Sequence, residues 1–402
     1  MKINFNIVLL SIVAFLSYMV PAALVTQQGV LIKPMSAYFG IELTEAASMF
    51  TFLTGGAFLG SFISMFIFDK LSIKNVFRLV YTLFIVGVLS LSVTKAIPLV
   101  GVAFAIIGCA AAVGISAGAV IISLTFSEKS RASAFIVTDC AFSASGFIFP
   151  TLGTMIIAAS FAWFNAYYTV IACVVIVLLL TFFATFPKVT KEEQKDSHVE
   201  FNNNIWTPRV FLYAFMVGFY LIVQNGLITW GPAYLISEFN AEDGMAYSLI
   251  GNFFGPAVFG LLVTAAIVAK VSAKYVLIAV SLFAVAISAY LNFTTSMDSL
   301  LMAVTALGFL TASSYKILIS IGSTQVRNAP PRLITFLLVC GSAGNMIAPS
   351  FNAFLIDTFG KSSAMKCVMV GYIILAIMAV LSVTVELLAK KSNHESNSAV
   401  TN

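Results

Sequence analysis

The sequence predicts an all-α membrane protein with twelve transmembrane helices, arranged as two six-helix pseudo-repeat bundles. Three observations predict it. The 402-residue chain is 60% hydrophobic and 9% charged, against about 25% charged in an ordinary soluble domain. Apolar runs of about 20 residues, each enough to cross a bilayer, recur along its whole length. Landmarks also repeat about two hundred positions apart. Lys70-Leu71-Ser72-Ile73-Lys74-Asn75-Val76 returns as Lys270-Val271-Ser272-Ala273-Lys274-Tyr275-Val276, and Gln27-Gln28-Gly29 returns as Gln224-Asn225-Gly226. The interval from Gly108 to Arg131-x-x-x-Phe135 recurs, one residue longer, from Gly308 to Arg332-x-x-x-Phe336. Parallel duplication of apolar helices is a construction plan of secondary transporters.

The first run, 6–27, has only Lys2 ahead of it and no small-residue cleavage site, so it reads as a retained span and not a signal peptide. Runs at 46–68, 76–96, 98–125, 132–158 and 163–186 complete an N-terminal bundle over residues 1–186. A polar stretch at 187–208 follows, read as a cytoplasmic linker that lets the bundles move against each other. Runs at 209–236, 246–268, 275–293, 299–322, 332–356 and 364–388 form a C-terminal bundle over 209–390, and residues 391–402 form a polar, disordered cytoplasmic tail. With no water to satisfy backbone groups inside a bilayer, these spans must be helices. Gly146 and Pro150, Gly251, Gly255 and Pro256, then Gly344 and Pro349 punctuate the fifth, eighth and eleventh spans, where close packing and kinks are expected. Cys109, Cys140, Cys173, Cys340 and Cys367 lie in or beside spans without CxxC spacing, and read as reduced packing residues with no disulfide and no metal site.

Cationic residues set the orientation. With a cytoplasmic N-terminus, the cytoplasmic segments collect sixteen of the 21 Lys and Arg, and the other side holds four: Lys33, Lys95, Lys361 and Lys366. Both termini are therefore expected in the cytoplasm. The net charge of +5 follows from this asymmetry and carries no nucleic-acid implication.

Asp69-Lys70-Leu71-Ser72-Ile73-Lys74 resembles the loop signature of the major facilitator superfamily, Gly-x-x-x-Asp-Arg/Lys-x-Gly-Arg/Lys-Arg/Lys. Asp69, Lys70 and Lys74 match it, whereas Met65, Ser72 and Ile73 depart from it. The resemblance implies the major facilitator fold and a cytoplasmic latch at Asp69, Lys70 and Lys74. The second copy has Ala269 at the acidic position and cannot mirror the latch. Phe15-Leu16-Ser17-Tyr18, Thr51-Phe52-Leu53-Thr54-Gly55-Gly56 and Thr138-Asp139-Cys140-Ala141-Phe142-Ser143 are similar to the TsgA proteins of bacterial inner membranes. Gly226-Leu227-Ile228-Thr229-Trp230-Gly231-Pro232 and Leu338-Val339-Cys340-Gly341 extend the likeness across the chain. It implies a cell inner membrane location. Those proteins in turn resemble the fucose permease branch of sugar–proton symporters.

Two ionisable residues lie well inside spans: Asp139 in the fifth and Lys316 in the tenth. Either costs about 2.5–3.5 kcal/mol on insertion scales, so each needs a partner or a wet cavity. Asp139 sits eight residues from Arg131 and Lys316 eleven from Arg327, or roughly 12 and 16 Å of helix. Comparable depth in opposite halves makes them proton-coupling candidates, with Lys316 competing with the proton for Asp139. A static pair, or a lysine snorkelling to the surface, is the alternative. Spans one and seven are the most polar near their outer ends. Tyr18, Gln27, Gln28, Tyr220, Gln224, Asn225 and Trp230, with Asn345 on the eleventh span, are the substrate-cavity candidates. Amides and aromatic rings suit a neutral polar ligand such as a sugar, although helix–helix hydrogen bonding is the competing use.

No Gly-x-x-x-x-Gly-Lys-Ser/Thr loop points to ATP, no Gly-x-Ser-x-Gly elbow is present, and His198 and His394 fall in polar segments. An enzyme, a cofactor and a metal are thus not expected. The expected function is a secondary active transporter that moves a small, sugar-like solute across the membrane by alternating access coupled to protons. Its expected partners are that small-molecule substrate, protons and the lipid bilayer, and a monomer is sufficient. The alternatives are a proton-antiport exporter of drugs or metabolites, and a non-transporting membrane sensor of the same shape.

Overall fold

The computed structural model describes residues 5–126, 128–187, 206–268, 270–325 and 331–400; among these, the side chains of Met65, Asp69, Ser123, 128–137, 331, 332, 334, 335 and 385–400 lie outside the description. The first half contains α1 (Phe5–Thr26), α2 (Gln28–Phe39), α3 (Leu43–Ser48), α4 (Phe50–Lys70), α5 (Ile73–Val93), α6 (Ile97–Thr125), α7 (Glu128–Ala158) and α8 (Asn165–Phe183). The second contains α9 (Pro208–Phe239), α10 (Asp243–Val268), α11 (Ala273–Phe293), α12 (Met297–Thr311), α13 (Ser314–Ser323), α14 (Pro331–Phe359) and α15 (Ala364–Val400). Eleven stretches among the described residues are long and apolar enough to cross a membrane. The remaining expected span, 332–356, falls in the 29-residue α14. The chain is thus two six-helix bundles, as the repeat predicts.

Helix α5 shows why these segments suit lipid. Val76, Phe77, Val80, Tyr81, Phe84 and Val88 point into the bundle, while Leu79, Leu83, Val86 and Val93 leave the opposite face exposed and equally apolar. A helix that is hydrophobic all round belongs in a membrane or a large core. The repeated Lys-x-Ser-x-Lys loop also gains a local cause. Ser72 and Ser272 are the N-cap residues of α5 and α11, and the Ser72 hydroxyl accepts a hydrogen bond from the Asn75 amide.

Three spans are broken where the sequence predicts single rods. The first continues past Thr26 as α2, so Gln27 and Gln28 lie within its length and not at its outer end. The second is split at Met49, and the tenth at Ala312–Ser313. Pro150, Pro256 and Pro349 lie inside α7, α10 and α14 as expected. The tail differs from expectation: helix α15 runs on to Val400 through the stretch read as disordered. Continuous hydrogen bonding from the preceding span carries the helix onward once it is nucleated.

Glycines carry the duplication into packing. A side chain on Gly108 would strike the Leu53 carbonyl oxygen, and one on Gly308 would strike the equivalent oxygen of Phe253. Both halves therefore bring backbone against backbone at the same register, as small residues allow between membrane helices.

The halves meet along α4 with α14, α7 with α10, and α2 with α9. Asn6 exchanges two hydrogen bonds with Thr185, which places the start of α1 beside the end of the first half. On the face opposite these ends, Lys33 of α2 pairs with Asp243 of α10 at 2.8 Å. There too, the hydroxyls of Thr51 and Ser350 lie 2.6 Å apart. Thr54 donates to the Met346 carbonyl at 3.3 Å. The molecule is held together across its halves on that face.

Candidate functional site

The two intramembrane charges meet. Helix α7 brings Asp139 from the first half, and α13 carries Lys316 on its first turn from the second. The ammonium lies 3.2 Å from a carboxylate oxygen, with the lysine side chain 51% exposed and the aspartate 22%. Tyr18 of α1 is hydrogen-bonded to Thr138 and lies within electrostatic reach of Asp139. The Tyr315 ring stands 5.8 Å from the Lys316 ammonium. A cavity of about 350 Å³ contains the pair. Thr264, Ser313 and Ser320 give it hydroxyls, and Leu261, Val268 and Ile317 give it apolar walls. Its reach to Val268 and Ala273, at the turn between α10 and α11, places it on the terminal side of the closed contacts.

A second polar group lies towards the closed face. Gln27 and Gln28 are wholly buried. The Gln27 amide nitrogen donates to the Ala23 carbonyl at 3.2 Å, but its oxygen has no partner, and neither polar atom of Gln28 has one. Next to them, Gly29 is so close to the Ile228 carbonyl that any side chain would collide with it. Trp230 is buried nearby in sequence with its indole N–H unpartnered, as is the hydroxyl of buried Tyr247 on α10. Asn225 donates to the Leu221 carbonyl and to the side-chain oxygen of Asn345 at 2.7 Å, joining α9 to α14, while its own oxygen is unpartnered. Buried polar atoms are nearly always paired, so these unpartnered groups are exceptions to the rule.

The structure separates the remaining candidates. Tyr220 is used within the second bundle, where its hydroxyl donates to the Thr311 carbonyl at 2.8 Å, and Tyr213 likewise donates to Ser382. The bundle's own helices thus satisfy both hydroxyls. Gln224 is half-buried beside Asn225. Of the expected latch, Lys70 ends α4 exposed, Lys74 sits half-buried in the first turn of α5, and the side chain of Asp69 lies outside the described residues. Tyr247 and Ser313 were not legible as site residues. A lone tyrosine near a span end carries no signal, whereas Ser313-Ser314 marks the break in the tenth span.

Comparison with known proteins places this geometry. A model of the Major Facilitator Superfamily matches residues 7–337. Protein TsgA from Escherichia coli is 26% identical over 379 residues, covering 94% of this chain and 95% of that one. A TsgA homolog from Erwinia tasmaniensis is 24% identical over 369 residues, covering 92% and 93%. Among solved structures, a D-xylose-proton symporter superposes with a TM-score of 0.74 at 11% identity, covering 93% of this chain and 97% of that one. The nucleoside transporter NupG gives 0.69 at 12% identity, covering 95% and 99%. Two bundles of apolar helices, joined around a charged cavity and matched by a family model through most of both halves, leave one conclusion: the chain belongs to the Major Facilitator Superfamily.

Proposed function

We propose that this protein moves a small polar solute across a bacterial inner membrane by alternating access, with both termini in the cytoplasm and Asp139 as the proton site. The supporting observation is the ion pair between Asp139 and Lys316, which joins the two halves at a cavity within the spans. An ion pair holds one arrangement of the halves only while both charges remain. Protonating Asp139 removes the attraction and biases the bundles towards another arrangement, which is how a charge change can drive a two-state element. Lower pH on the loading side should therefore favour the cycle. The unpartnered amides of Gln27, Gln28 and Asn225 suit a hydroxyl-bearing, sugar-like solute, in keeping with the xylose symporter's fold likeness. A proton-antiport exporter would use the same ion pair in the reverse direction.

The test is a thermal-shift screen of the purified protein with sugars, nucleosides and amino acids at pH 6 and pH 8, followed by uptake into proteoliposomes. A solute at 100 times its dissociation constant adds about 2.7 kcal/mol of stability. The expected result is a pH-dependent hit whose uptake loses its pH dependence in Asp139→Asn. Uptake that keeps its full pH dependence in that variant would remove Asp139 from coupling. A protein that binds and moves nothing in the panel would favour the non-transporting sensor.

A further inference from the structure

Given the proton-coupled reading above, and in place of the neutral sugar-like solute considered there, we infer that the solute bound together with the proton is a small organic carboxylate, held by Lys316 beside Ser313. The first ground is charge. Asp139 and Lys316 are the two ionisable side chains well inside spans, and together they are neutral. Protonating Asp139 leaves one positive charge on Lys316. A neutral solute leaves that charge uncompensated, a cation adds to it, and a monoanion cancels it. While the cavity is wet, the half-exposed lysine is hydrated. Alternating access requires occlusion, which removes that water, and an unpaired buried charge is then strongly disfavoured. A carboxylate entering beside Lys316 takes over the role of the Asp139 carboxylate.

The second ground is the shape of the site. The tenth span is kinked at Ala312–Ser313, between α12 and α13. The second segment, α13, starts at Ser314, so Lys316 and the kink residue Ser313 lie on one turn. Ser313 is 6% exposed, lines the cavity, and has a hydroxyl with no partner. An ammonium carries three donors, so one Asp139 oxygen does not exhaust Lys316. Thr264 and Ser320 add hydroxyls, and Leu261, Val268 and Ile317 accommodate the body of the solute.

The charged and titratable groups around Asp139 are Lys316 and Tyr315 on α13, Tyr18 on α1, and Cys140 beside it on α7. Tyrosine and cysteine are ordinarily neutral between pH 5.5 and 7.5. Among the described residues lining the cavity, α10 contributes none that titrates. The carboxylate and the solute are thus the groups that compete for Lys316.

The experiment measures binding to the purified full chain in detergent with matched probes: D-gluconate and sorbitol, benzoate and benzyl alcohol, hexanoate and hexanol, at pH 5.5 and 7.5. A carboxylate should bind tighter at pH 5.5 than at 7.5, and tighter than its alcohol partner. Asp139→Asn should bind it with the tighter value at both pH values. Lys316→Gln should weaken it at least tenfold, while Lys316→Arg, which keeps the charge, should retain it and show that the site still folds. If no carboxylate outperforms its alcohol, or if Lys316→Gln leaves binding unchanged, the carboxylate is wrong. A neutral hit with pH dependence lost in Asp139→Asn would overturn the anion and leave proton-coupled transport intact. Carboxylate binding indifferent to both pH and Asp139→Asn would separate the anion from the proton and overturn their joint binding.

Discussion

Gln28 is buried completely, and its amide makes no hydrogen bond at either end. Leaving a buried polar group unpaired costs about 1–3 kcal/mol, whereas the same residue with a solute on its amide has no such cost. Gln28→Leu should therefore raise the melting temperature of the empty protein while lowering its affinity for the solute. Parallel thermal unfolding and binding measurements check this. A variant that is destabilised and binds normally would mean that the amide is satisfied by water alone. Asn225 behaves differently, because its side chain already ties α9 to α14 through Asn345. Residue type alone could not distinguish these two amides. Both sit in the repeated Gln/Asn-Gly segment, and only their neighbours divide them into a free group and a bound one.

At the scale of elements, the close approach of α2 to α9 depends on Gly29, where a side chain would meet the Ile228 carbonyl and the Ile250 methyl. Backbone cannot move aside as a flexible side chain can. Overpacking of this kind typically costs about 1–3 kcal/mol, so Gly29→Val should drive α2 away from α9 and open the closed face. The check is thiol labelling of a cysteine introduced at Thr229, whose rate should rise in the valine variant. An unchanged rate would mean that α2 shifts along α9 without parting from it. The breaks in the first, second and tenth spans were not expected, since short polar stretches such as Thr26-Gln27-Gln28 and Ser313-Ser314 are also compatible with an unbroken helix.

The whole molecule is fastened across its halves on one face by Lys33 with Asp243 and by Thr51 with Ser350. The ion pair is exposed, so it contributes only about 0–1 kcal/mol, and closure rests mainly on the packed α2–α9 and α4–α14 seams. If transport requires this face to open, a tether there must stop it. Oxidising a Thr51→Cys/Ser350→Cys double variant should form a disulfide and abolish uptake into proteoliposomes, and reduction should restore it. Full uptake with the disulfide formed would exclude alternating access through this face.

The sequence by itself determined twelve spans, two similar halves, and the presence of one acid and one base at matching depth. Each follows from rules local to a segment: a bilayer sets the length of an apolar run, a duplication keeps its register, and a charge in such a run is too costly to be incidental. Only the tertiary structure decided that Asp139 and Lys316 meet, that Tyr220 serves its own bundle, and that Ser313 and Tyr247 carry unpartnered hydroxyls. These depend on how helices from two halves are rotated and translated against each other, which no periodicity within a single helix records.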